Sequence, residues 1–192
     1  MCVEFEALRK SVLATAARFV PSLLTCEQAG ALVPSLAEME AAIASMKSLA
    51  AARAAEGSSH KQKGYRSPSD ELAHEARMSP ASAKRALEAG RRMSSQPEVA
   101  KAALSGELSF EQAAIVAEGV EADPSKAEKL IEAARHSSLP ELSEEVAKVK
   151  AAVTDREARR RAITAKRYLR RWTDRDGAPQ AHMYGHVEDG AV

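Results

Sequence analysis

Residues 71–87 read Glu-Leu-Ala-His-Glu-Ala-Arg-Met-Ser-Pro-Ala-Ser-Ala-Lys-Arg-Ala-Leu. Two amphipathic runs flank a tight turn, and the second run opens on Ser79 followed by Pro80. A serine before a helix caps its first amides, and proline fits the first helical position because that N–H has no intrahelical partner. Leu72, Ala76, Met78, Ala83, Ala86 and Leu87 supply apolar contacts from both runs, and Ala73 is small enough for a close crossing. The pattern predicts a helix-turn-helix whose second helix presents Ser79, Ser82, Lys84 and Arg85 from its first turns, with Arg91 and Arg92 further along. The turn position that usually holds glycine, for a left-handed backbone, is Arg77 here, at a cost of roughly 1 kcal/mol.

The same start signals recur along the chain. Ser67 precedes Pro68, and Pro97, Pro124 and Pro140 repeat the device. Thr25 with Gln28, Ser109 with Gln112, and Thr154 with Glu157 read as capping boxes. Helices are predicted over 68–76, 80–93, 97–104, 110–119, 124–136, 140–152 and 155–166. Upstream, Leu8, Val12, Ala16 and Phe19 mark a first helix over 3–19, and a short turn after Thr25 is limited by Gly30 and Pro34. A long helix over 35–56 carries Leu36, Met39, Ile43, Met46 and Ala50 in a 3-4 rhythm, a stripe that either packs on the first helix or forms the seam of a homodimer. Residues 57–66 are a polar, basic loop. The expected organisation is a helical hairpin at 1–56, a linker at 57–66 and a helical core at 67–192.

The end of the chain differs. Tyr168–Thr173, the turn signal Asp174-Arg-Asp-Gly177 and residues 178–187 predict a β-hairpin. With aromatics at 4% and alanine abundant, the fold class is mainly α: a multi-helical domain with a helix-turn-helix-like unit and a C-terminal hairpin.

Net charge is only +1, but eight Lys or Arg lie between Arg156 and Arg171 against one acid, Glu157. Clustered cations release counterions from a phosphate backbone, so Arg156, Arg159, Arg160, Lys166, Arg167 and Arg170 join the DNA-binding candidates. Tyr168 and Trp172 interleave with them and offer rings for unpaired bases. Against this stands internal pairing with Glu128, Glu132, Glu141, Glu144 and Glu145, with Trp172 as a core residue. A second helix-turn-helix-like stretch, 98–119, has Gly106 in the glycine position, but Glu111, Gln112 and Glu118 would be repelled by phosphates, so it reads as scaffold.

Two cysteines without a CxxC pair make no disulfide framework or zinc ribbon. The start lacks a signal peptide's pattern, and no stretch nears the roughly 18–20 apolar residues that span a bilayer, so no membrane partner and a cytoplasmic location are expected. No phosphate loop, nucleophile elbow or acidic metal cluster appears. No catalysis, cofactor, metal or small-molecule substrate is expected. In a strand, His182 and His186 would stand about 13 Å apart, too far for one ion.

Residues 67–190 resemble the domain of unknown function 222 family, found mainly in actinobacteria and their phages and often followed by an HNH endonuclease domain. The resemblance rests on Ala89-Gly-Arg-Arg-Met93, Gln96-Pro97, and Ala103-Leu-Ser-Gly-Glu-Leu-Ser-Phe-Glu-Gln-Ala113. The arginine-rich helix, the Asp174–Gly177 hairpin and the terminal Gly-His-Val-Glu-Asp-Gly-Ala complete it. It implies DNA as the working surface, although the His-Asn-His metal site of such nucleases is missing here. Two functions follow as expectations: a DNA-binding module that targets a nuclease or regulates alone, or a protein-interaction and oligomerisation module.

Overall fold

The computed structural model describes residues 2–154 and 156–184, with the side chains of Cys2, Arg156, Glu157, Arg159 and Arg160 left undescribed. The predicted extension of the last strand to Val187, the terminal Gly-His-Val-Glu-Asp-Gly-Ala and His186 lie outside the described residues. The chain is mainly α, with 73% of the described residues helical and a small two-stranded hairpin after the last helix.

Local capping sets the helix starts. Helix α1 spans Cys2–Ala17, and a 3-10 turn follows at Pro21–Leu23. In α2, Cys26–Ala54, the Thr25 hydroxyl accepts the Gln28 amide at 3.1 Å while the Gln28 side chain accepts the Thr25 amide at 2.9 Å. After the four-residue α3 (Ser59–Gln62), three short–long pairs follow: α4 (Pro68–Glu75) with α5 (Pro80–Ser94), α6 (Pro97–Leu104) with α7 (Phe110–Ala122), and α8 (Ala127–His136) with α9 (Leu139–Val153). Ser67, Ser79 and Ser109 cap α4, α5 and α7 through their hydroxyls, and Ser138 with Glu141 forms a capping box on α9. Helix α10 (Arg156–Ala165) leads into antiparallel strands β1 (Tyr168–Thr173) and β2 (Pro179–Tyr184).

The long helices α2, α5, α7 and α9 pack side by side in that order. The larger core joins Met93, Val99, Leu108, Val116, Leu130 and Leu142, and the smaller one joins Ala52 and Leu72 to the α5 residues Ala83, Ala86 and Leu87. Phe110 packs against both. At the α2–α5 crossing the backbones nearly touch: a Cβ on Gly90 would lie 2.2 Å from the Ser48 carbonyl oxygen. Ser45, Ser48 and Ala52 line the α2 side of that crossing, all small and buried.

Three expectations need correction. The short turn after Thr25 and the helix from 35 are one helix of 29 residues, running through Gly30 and Pro34. Proline's lost amide bond weakens that turn, but the ring's usual clash partner is the carbonyl four residues back, here on an exposed glycine with nothing within 4 Å of its missing Cβ. Next, 1–56 is not a self-contained hairpin. The described residues show no extensive packing of α1 on α2, whereas the second half of α2 is built into the core with α5 and α6. The 57–66 stretch is no free linker either, because Lys63 Nζ lies 2.8 Å from Glu71 and the Ser59 hydroxyl donates to Glu71 at 3.0 Å, pinning α3 to α4.

Candidate nucleic-acid interface

Helices α4 and α5 are joined by a tight turn. Arg77 takes a φ of +52°, the one non-glycine with positive φ among the described residues, as its place in the turn predicts. The Met78 amide donates to the Ala73 carbonyl at 3.0 Å across that left-handed residue, closing the end of α4. Leu72, Ala83, Ala86 and Leu87 are buried, with Ala73, Ala76 and Met78 packed on them.

Helix α5 sits in the middle of the packed row, which decides what it can offer. Ala83, Ala86, Leu87, Ala89, Gly90 and Met93 are buried against its neighbours. Lys84, Arg85 and Arg91 are exposed, and Glu88 and Arg92 half-buried, at helical spacings that place them along one stripe. Arg92 is neutralised, because its Nε donates to Glu121 at 2.8 Å and Nη1 lies 3.6 Å from Glu118, tying α5 to α7. Among the described residues no carboxylate pairs with Lys84, Arg85 or Arg91. Ser79 and Ser82 are committed to the helix start: the Ser79 hydroxyl accepts the Ser82 amide at 3.1 Å and donates to the Ser82 hydroxyl at 2.8 Å.

Beside the stripe lies a cleft of about 650 Å³ between α2, α5 and α7, floored by Ala41, Ala44, Ala86 and Ala89. Lys47 of α2 and Arg85 both line it, so Lys47 adds a cation that no local motif signals. Glu111 and Glu118 of α7 line it too, and Glu118 is 3.1 Å from Lys150. Helix α7 thus presents acids to the cleft; Gly106, with φ +77°, makes the turn before it. The cleft has no histidine or cysteine in its lining, hence no nucleophile–base pair of that kind.

The arginine-rich segment stands apart. Among the described residues, α10 and the β1–β2 hairpin pack extensively on no other element. Of the five acids of α8 and α9 weighed as partners for its arginines, Glu132, Glu141 and Glu145 are engaged nearer home, while Glu128 and Glu144 make no such pair among the described residues. Glu132 pairs with Arg135 and lies 3.2 Å from His136, and Glu145 accepts from Lys129 at 2.9 Å. Glu141 is occupied in its capping box. Lys166, Arg167, Arg170 and Arg171 are exposed and pair with none of the described acids. Trp172, considered as core, is 46% exposed. The side chains of Arg156, Arg159 and Arg160 lie outside the described residues. Among the described residues, the two candidate stretches, 79–92 and 156–171, do not pack extensively on one another.

Hairpin register adds residues that the sequence reading missed. The Asp174 carboxylate accepts from the Asp176 and Ala178 amides and from the Gln180 side chain, and the Gln180 bond leads in holding its pKa below the usual carboxylate range. Gly177, at φ +82°, completes a five-residue loop that sets Thr173 opposite Pro179 and Tyr168 opposite Tyr184. A loop one residue shorter would send Tyr184 to the other face.

Cys26 is a free, exposed thiol. No three His, Cys, Asp or Glu side chains gather around one point among the described residues, and no described helix is long and apolar enough to cross a membrane. No family model matches the chain, and neither a curated protein nor a solved structure does.

Proposed function

We propose that the chain is a cytoplasmic DNA-binding module that docks α5 against duplex DNA and holds the backbone with its arginine-rich end. The observation that carries this reading is the α5 stripe. In a helix-turn-helix frame, Lys84, Arg85 and Arg91 stay exposed without an acid partner, while Lys63, Arg92, Lys129, Arg135 and Lys150 are paired. An unpaired cation beside phosphate gains counterion release; a paired one must first break its bridge. The resemblance to a family often followed by HNH endonucleases fits a targeting role.

The test is a mobility-shift titration of duplex DNA against salt. Six or seven phosphate contacts predict an affinity loss of about 10³-fold between 50 and 200 mM salt. Combining Lys84→Ala, Arg85→Ala and Arg91→Ala removes about two to three units from the log–log slope and weakens binding at least tenfold. Unchanged melting temperature certifies the fold. No binding at low salt sinks the reading, and a triple variant that binds like the wild type removes α5 from the interface.

A second reading, self-association, is favoured by a different observation. Leu32, Leu36, Met39 and Ile43 recur at four–three–four spacing on α2 and are all exposed. Met46 of the seam expected over 35–56 is half-buried and Ala50 exposed, while Ser45, Ser48 and Ala52 lie on the opposite, buried face of α2.

A further inference from the structure

The hairpin gathers onto one face Tyr168, Arg170 and Trp172 from β1, with Gln180, His182 and Tyr184 directly opposite on β2. The Tyr168 and Tyr184 rings stack with centroids 6.1 Å apart and planes 12° from parallel. His182 meets Tyr168 edge-on at 5.5 Å, its Nδ1 3.0 Å from the Tyr168 hydroxyl. Three of the chain's seven aromatic residues thus share this face, each 42–46% exposed, and no described helix covers them. Trp172 stands four residues from Tyr168, about 13 Å along the strand, with Arg170 between them.

We infer that this face binds unpaired nucleotides of a single-stranded nucleic acid. Bases stack on the Tyr168–Tyr184 pair and on Trp172, and Arg170 and Arg167 meet the phosphates. Charge selects the occupant: from Arg156 to Tyr184 nine Lys or Arg stand against three acids, which suits a polyanion and not an apolar peptide. Ring chemistry selects the strand state. Aromatic side chains recognise the flat faces of bases, which a duplex hides in its stack and a single strand exposes. The inference shares with the proposed function the nature of the partner and the arginines of 156–171, and makes no use of α5.

Trp172 is the chain's only tryptophan, so its fluorescence reports on this face alone. Titrating the full chain with an oligothymidylate single strand is expected to quench that emission to saturation. A labelled strand followed by anisotropy should lose about 5- to 100-fold in affinity with Trp172→Ala or Tyr184→Ala, the worth of one base stack. Trp172→Phe should restore most of it by keeping a ring. Leu169→Ala and Met183→Ala, opposite each other on the hairpin's other face, control for hairpin folding and should bind normally. Absence of quenching overturns the inference, as does equal loss from both faces or a Phe variant as weak as the Ala one. Single-strand binding without duplex binding sinks the α5 reading and leaves this one. Duplex binding without a Trp172 response to single strands does the reverse.

Discussion

Two glycines in long helices have opposite prospects for the same substitution. Alanine normally gains about 0.5–1 kcal/mol over glycine in a helix interior. At Gly30 a Cβ meets nothing within 4 Å, so Gly30→Ala should deliver that gain. At Gly90 the Cβ would lie 2.2 Å from the Ser48 carbonyl oxygen and 2.6 Å from its carbon, both backbone atoms that yield only if α2 and α5 separate. Overpacking of that kind costs about 1–3 kcal/mol, which outweighs the propensity gain, so Gly90→Ala should lower the melting temperature. Arg77 poses the converse case. Its φ of +52° is strained for any residue with a Cβ, and Arg77→Gly should stabilise by about 0.5–1 kcal/mol, roughly 1–4 °C in a chain of this size. Thermal melts of the three variants check all three signs, and a stabilised Gly90→Ala protein would overturn the close α2–α5 crossing.

At the scale of elements, ion pairs join helices and give acid sensitivity. Hydrogen bonding from Lys63 leads in holding the Glu71 carboxyl below the usual carboxylate range, as Arg135 does for Glu132 and Lys129 for Glu145. A carboxylate depressed in the folded state stabilises it above the unfolded-state pKa, near 4, and that contribution is lost as pH falls through the folded-state value. Stability should therefore hold near pH 5–7 with respect to these groups and decline below about pH 4. Glu71→Gln should also loosen α3 from α4 at neutral pH, read as faster amide exchange over 58–64. No change in that exchange would mean that the Lys63 bridge does not hold the segment. Helix starts such as those at Ser79 and Ser109 were legible because a cap lies within three residues of what it caps. Thr154, expected to open a capping box, instead ends α9 with its hydroxyl donating to the Lys150 carbonyl. The left-handed turns at 77 and 106 were legible for the same local reason. The pairing of Arg92 with Glu121 was not, since 29 residues separate the partners, and nothing local distinguishes Arg92 from Arg91. Pro34 misled because its cost is local while the compensation comes from α2 continuing into the core. The hairpin was visible, but which face Tyr184 takes depends on one loop residue.

At the scale of the molecule, the exposed large hydrophobic side chains among the described residues are unevenly spread: thirteen of twenty-one lie between Val3 and Ile43. Soluble monomers rarely leave apolar patches beyond a few hundred Å² uncovered. Scattered exposure would need no explanation, but Leu32, Leu36, Met39 and Ile43 follow one helical stripe, and so do Phe5, Leu8 and Val12 on α1. The α2 stripe covers only about 17 Å of helix, short for a coiled-coil seam unaided, so α1 should contribute to any pairing. A second copy is the occupant that every solution of the chain supplies. Size-exclusion chromatography with light scattering should find a dimer, and Leu36→Glu with Ile43→Glu should return a monomer of unchanged helicity. Neither stripe contains Lys84, Arg85 or Arg91, so the monomeric variant should keep its intrinsic duplex affinity per chain while losing any cooperativity between two bound copies. A wild-type chain that stays monomeric at its highest soluble concentration would remove self-association and leave the N-terminal apolar stripes to a partner other than itself.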